Sequence, residues 1–155
     1  MPTLPRRGLL LLSFLSLLAG PALAAAADPL DTPVGRWKTV DDASGKPKSI
    51  VSIWEEGGLL FGKVEEILDP KPDDPDPRCV KCSGELKEQP IVGLRILWSF
   101  RKDGERWSGG KILDPENGKT YRCNLALVDG GHKLLVRGFI GIALIGRTQT
   151  WIRDE

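Results

Sequence analysis

Three cysteines and one histidine are the side chains whose types and spacing could do chemistry. Cys79 and Cys82 stand in C-x-x-C spacing within a stretch that otherwise reads as loop, while Cys123 lies in a segment of alternating character. In an oxidising compartment this spacing favours a local Cys79–Cys82 disulfide, with Cys123 a small buried hydrophobe. Three other readings stay open. The loop could fold across and bridge one of the pair to Cys123. The three thiolates could hold zinc together with His132, although no second C-x-x-C is present. The pair could also be redox-active, but that chemistry uses a helix N-terminus to lower a thiol pKa, and Ser83-Gly84 follows Cys82 here.

Evidence for catalysis is thinner still. His132 follows Asp129-Gly130-Gly131, a turn signal, and general acid–base work would need a positioned partner that cannot be assigned. No G-x-S-x-G elbow, H-E-x-x-H pair or phosphate-cradling glycine loop occurs. The pairs Asp41 with Asp42 and Asp114 with Glu116 fall in turn sequences, where carboxylates ordinarily cap the turn backbone. Asp69, Asp73, Asp74 and Asp76 carry oxygen ligands suited to calcium, but the prolines between them hinder a wrapping loop. The expectation is therefore no catalytic residue, no metal site, no cofactor, and a protein that is not an enzyme.

The tryptophans are the remaining constellation. Trp37, Trp54, Trp98, Trp107 and Trp151 each fall within a predicted strand. Each would bury a large area while asking for an N–H partner. One reading makes them core. The other makes Trp37, Trp54, Trp107 and Trp151, with Arg147, the lining or floor of a mostly apolar pocket. Arg147, Gln149 and Arg153 share a parity with Trp151, so an arginine of the last strand could also cover the face of Trp37 and close one end.

Such residues need a scaffold, and the sequence offers strands. Gly109 to Arg153 alternates with period two, as in Tyr121, Cys123, Leu125 and Leu127, between the turn signals Asp114-Pro115-Glu116-Asn117-Gly118 and Asp129-Gly130-Gly131. Upstream, Gly35–Val40, Ile50–Trp54, Leu59–Leu68, Pro90–Phe100 and Arg106–Leu113 read as further strands. Asp69–Pro77, with four prolines in nine residues, cannot join a ladder. It opens the one long insertion, Asp69–Gln89, in which Ser83–Gln89 is short enough for a single helical turn. Phe139–Gly146 is apolar on both parities and is expected as a buried connection, with an exposed lip as the alternative. Eight or nine antiparallel strands with short connections predict an all-β closed antiparallel barrel, since closure removes exposed edges.

Residues 1–24 read as an export signal: Arg6 and Arg7, an apolar run from Gly8 to Leu18, and a small-residue site at Ala22-Leu23-Ala24. Residues 25–32 read as a mobile leader and 33–155 as a single domain, long enough for a real core. Lysine and arginine total 22 against 21 acidic residues, and loss of Arg6 and Arg7 would tip the balance slightly acidic. That excludes the basic footprint of a nucleic-acid binder. No later apolar run reaches spanning length.

Gly35-x-Trp37 on the first strand, with an arginine on the last, resembles the lipocalin signature. A longer set is similar to an exported bacterial family called domain of unknown function 2147. It comprises Gly35-Arg36-Trp37-Lys38-Thr39, Val51-Ser52-Ile53-Trp54, Cys79-Val80-Lys81-Cys82, Gln89 to Leu94, Ile112 to Lys119 and Gly146 to Trp151. The resemblance implies a β-barrel and export and lends no activity. The expected function is binding of a small apolar or amphipathic ligand by a monomer in the periplasm. The alternative is a protein-interaction module of the cell envelope using residues 139–146 or the 69–89 loop.

Overall fold

The computed structural model describes residues 28–142 and 145–155, so the expected export signal lies outside the described residues. Eight strands follow one another: β1 (Gly35–Val40), β2 (Pro47–Glu56), β3 (Leu59–Ile67), β4 (Arg95–Asp103), β5 (Arg106–Asp114), β6 (Lys119–Val128), β7 (Lys133–Phe139) and β8 (Gly146–Arg153). Each pairs antiparallel with the next, and β8 returns to β1 to close a barrel. The strand count settles at eight. Pro90, which cannot donate to a ladder, bridges Arg78 inside the long loop, and β4 begins at Arg95.

Alternation sets which side chains enter the barrel. On β6, Cys123 and Leu125 are buried as their parity requires. On β2, Val51 and Ile53 belong to the core, which sends Trp54 outward. The β3–β4 pairing slips register twice, and Ser99 takes φ 61°. This irregularity lets Leu97 and Phe100 both reach the core despite their opposite parity. Gly110 faces the Phe100 ring so closely that a Cβ would strike it, so the ring occupies space the glycine leaves.

One end of the barrel is sealed. Trp37 is fully buried and donates its indole N–H to the Pro33 carbonyl at 2.7 Å. The Arg153 guanidinium lies 4.3 Å from the Trp37 ring centroid. It donates to the carbonyls of Gly131 at 2.8 Å, Val34 at 3.1 Å and Thr32 at 2.8 Å. The expected arginine cover of Trp37 is thus Arg153. It also corrects the leader expectation in part: Pro29–Asp31 forms a 3-10 turn, and Gly131 approaches the Leu30 carbonyl too closely to admit a Cβ. The Leu30 and Thr32 carbonyls thus meet the barrel end, at Gly131 and Arg153. Among the described residues, no helix is long and apolar enough to cross a membrane.

Candidate ligand-binding cavity

The barrel interior changes character along its axis. Near the sealed end it is filled by Trp37, Leu60, Phe100, Trp107, Leu125 and Leu134, all buried. Toward the opposite end the inward positions shrink: β1 passes from Trp37 to Thr39, β2 from Val51 to Ser49, and β7 from Leu134 through Val136 to Gly138. Above these smaller residues opens a cavity of about 820 Å³ that extends out between the 69–81 loop and the β5–β6 turn. Val64, Ile96, Leu113, Val136 and Trp151 supply its apolar walls, and Thr39, Ser49 and Gln149 its polar patch. Such a size and composition fall within the range of small-molecule sites.

Loops frame the mouth. Cys79 and Cys82 form a disulfide with Cα atoms 5.3 Å apart, as the spacing predicts. The bonded turn rests on the β5–β6 turn: Cys79 Sγ lies 3.7 Å from the Pro115 carbonyl, and Gly118 abuts the Lys81 carbonyl without room for a Cβ. The β5–β6 turn is itself fixed by Asp114, whose carboxylate accepts from the Glu116 N–H and the Asn117 amide, each at 2.9 Å. Asp41 caps the β1–β2 turn in the same manner, accepting from the Ser44 N–H and hydroxyl at 2.7 Å. Those bonds hold its carboxyl below the usual carboxylate range. Gly84–Leu86 supplies the expected helical turn, in 3-10 form.

Ion pairs tie the frame across. Lys48 pairs with Glu116, joining β2 to the β5–β6 turn, and Arg147 pairs with Asp42. The second pair sits where closure is weakest. The β1–β8 seam is paired at Trp37–Arg153 and Lys38–Ile152, and the cavity lining continues past that point along both strands. At the rim stand Ile140, Ile142 and Ile145, 68%, 61% and 68% exposed, and the exposed Val80 of the disulfide turn. The 139–146 segment is therefore not the buried connection expected of it. Among its described residues Phe139 is buried, while Ile140, Ile142 and Ile145 are exposed at the mouth.

The sequence-predicted site residues divide. Trp151 lines the cavity, donating its indole N–H to Gln149 Oε1 at 3.2 Å, and Arg147 stands at its rim. Trp37 does not line it, being the plug of the sealed end. Trp107 does not either; it packs low in the barrel, beneath the Lys102 ammonium at 5.5 Å. Trp54 lies on the outer face, stacked on Phe61 at 6.1 Å with the Arg95 guanidinium over both rings. The walls are thus aliphatic with one indole, and Gln149 and Val136 are lining residues the tryptophan pattern did not single out. Diminishing side-chain size toward one end of β1, β2 and β7 is the signal that would have found them.

The remaining chemistry-bearing groups lie elsewhere. Cys123 is buried and unpaired, and burial pushes its thiol up to about 12, so it stays protonated and unreactive at neutral pH. The disulfide removes two of the three thiols a zinc site would need and leaves none for a bridge to Cys123. His132 is at the sealed end, exposed, with Nδ1 3.8 Å from the Glu155 carboxylate.

A family model described as "Uncharacterized protein conserved in bacteria (DUF2147)" matches residues 35–153. Among solved structures, a protein from the human pathogen Helicobacter pylori, described as belonging to the lipocalin family, is similar in shape. Its TM-score is 0.68 at 22% sequence identity, over 79% of this chain and 82% of that one. At this identity the likeness is one of fold. No curated protein matches the chain.

Proposed function

The chain belongs to the DUF2147 family, and on that premise we propose that it binds a small apolar or amphipathic molecule within its barrel. The observation that carries the reading is the cavity of about 820 Å³, sealed at one end by Arg153 on Trp37 and rimmed by exposed isoleucines at the other. A filled interior would have removed more apolar surface from water. Substituting Thr, Ser, Val and Gly for bulk in the upper half forgoes that gain, and a guest restores it. The disulfide turn and the β5–β6 turn frame the entrance. We place the protein in the periplasm, as a monomeric carrier and not an enzyme; the disulfide suits an oxidising compartment.

Native mass spectrometry of protein gently prepared from its own cell envelope tests this. A retained small molecule, released on unfolding, supports the reading. A bare mass that stays bare after incubation with the organism's lipid extract defeats it.

The exposed Ile140, Ile142 and Ile145 favour one second reading, a protein-interaction module. Size-exclusion of wild type beside Ile142→Asp separates the two. Binding predicts two monomers; association in the wild type that Ile142→Asp abolishes supports the module.

A further inference from the structure

The polar patch inside the cavity has a direction. Trp151 Nε1 can only donate, so the Gln149 atom 3.2 Å from it is the amide oxygen, and the Gln149 NH₂ is turned away. That NH₂ meets no protein acceptor among the described residues, while the side chain lines the cavity. Its neighbours offer no competing donor. The Thr39 and Ser49 hydroxyls lie 2.7 Å apart, and Thr39 Oγ1 also reaches the Ser49 carbonyl at 3.4 Å, so their hydrogens are used between themselves. Thr39 pairs with Ser49 and Gln149 with Val136, and all four line the cavity.

Charge is distributed the opposite way. The cations of the lining, Lys48, Lys71, Arg78, Lys81 and Arg147, belong to the mouth, and Lys48, Arg78 and Arg147 already face Glu116, Asp76 and Asp42. A carboxylate seated at Gln149 would find the amide, but the cation next along the same face, Arg147, is already engaged by Asp42, so its burial is costly. An uncharged oxygen would satisfy the free N–H without that cost.

We propose that the cavity selects apolar molecules carrying an uncharged hydrogen-bond acceptor, such as a ketone, ester or ether oxygen, at the end that enters first, and that Gln149 reads it. This rests on the cavity being a ligand site, and the test separates the two. An apolar fluorescent probe, N-phenyl-1-naphthylamine, is bound to the wild type, Gln149→Leu and Gln149→Glu, then displaced by 2-undecanone or decanoic acid. The ketone binds the wild type about tenfold more tightly than either variant, the cost of one lost buried hydrogen bond. Gln149→Glu keeps an acceptor for Trp151 and removes the N–H donors, so it covers the case in which Gln149→Leu fails to fold. At pH 8 the acid competes at least about tenfold less well than the ketone, and it gains as pH falls, because burial raises its pKa and the neutral acid offers the same carbonyl. Equal ketone affinity in wild type and variants, or acid binding as tight as ketone at pH 8, overturns the proposal while leaving the site intact. Failure of the wild type to bind the probe itself removes the site, and the proposal with it.

Discussion

The two halves of the barrel share eight strands and differ in what those strands put inside. The lower half carries Trp37, Phe100 and Trp107, all buried; the upper half carries Thr39, Ser49, Val136 and Gly138 and lines the cavity. Backbone pairing runs through both halves except at the β1–β8 seam, so side-chain volume is the chief difference between the half that packs and the half that receives. The lower half holds the fold together, and the upper half is where a guest fits. Stability and binding should therefore respond to different substitutions.

The sharpest break in that division is Trp37→Ala. It removes the plug and the surface on which Arg153 rests, and should cost about 3–5 kcal/mol in urea unfolding. A loss under about 1 kcal/mol would mean the lower half is not what holds the barrel together. The mouth should be less sensitive. Opening the Cys79–Cys82 bond by Cys82→Ser should cost about 2 kcal/mol for so short a loop, with the eight-strand circular-dichroism signature unchanged. Thiol counting sharpens the same point: no reactive thiol in the native oxidised protein, one on unfolding, and all three after reduction. A thiol that reacts in the native state would contradict the burial of Cys123.

Smaller effects belong to the charged rim. Arg147→Ala breaks the pair with Asp42 across the β1–β8 seam. Because both side chains are exposed, stability should fall by less than about 1 kcal/mol, while the probe's release rate rises, more so at low salt. The smallest effect should come from Asp154. The Lys38 ammonium at 2.5 Å, with Arg36 nearby, holds its carboxyl below the ordinary 3.8. A carboxyl depressed on folding stabilises above its unfolded pKa, and that contribution is lost as pH falls below 3.8 through the lower folded value. In Asp154→Asn the acid-side decline of the melting temperature should be shallower than in wild type. Identical declines would remove Asp154 from the seam's acid response.

Much of the fold could be read from residues because period two is a local property. Cys123 and Leu125 face inward as their parity requires, and the turn signals at Asp114–Gly118 and Asp129–Gly131 end strands where expected. The Cys79–Cys82 pairing was legible for the same reason, the partners being three residues apart. The site was harder. Alternation tells in from out only once one parity is anchored, and in Ile50–Trp54 nearly every position is apolar, so Trp54 could be placed on either face. Nor does alternation give height along the barrel. Trp37 and Trp151 are both inward and buried, yet one plugs the end and the other walls the cavity. The apolar Phe139–Gly146 segment carries no period at all, and the exposure of Ile140, Ile142 and Ile145 follows from their position at the mouth.

The most direct test of the hollow upper half is a titration of N-phenyl-1-naphthylamine into wild type and Val136→Trp, with urea unfolding run on both. Val136 lines the cavity, so an indole there should fill the space the guest would use. Saturable one-to-one binding by the wild type, lost in Val136→Trp while the protein stays folded, is the expected result. Equal binding by the two proteins, or none by the wild type, would contradict it.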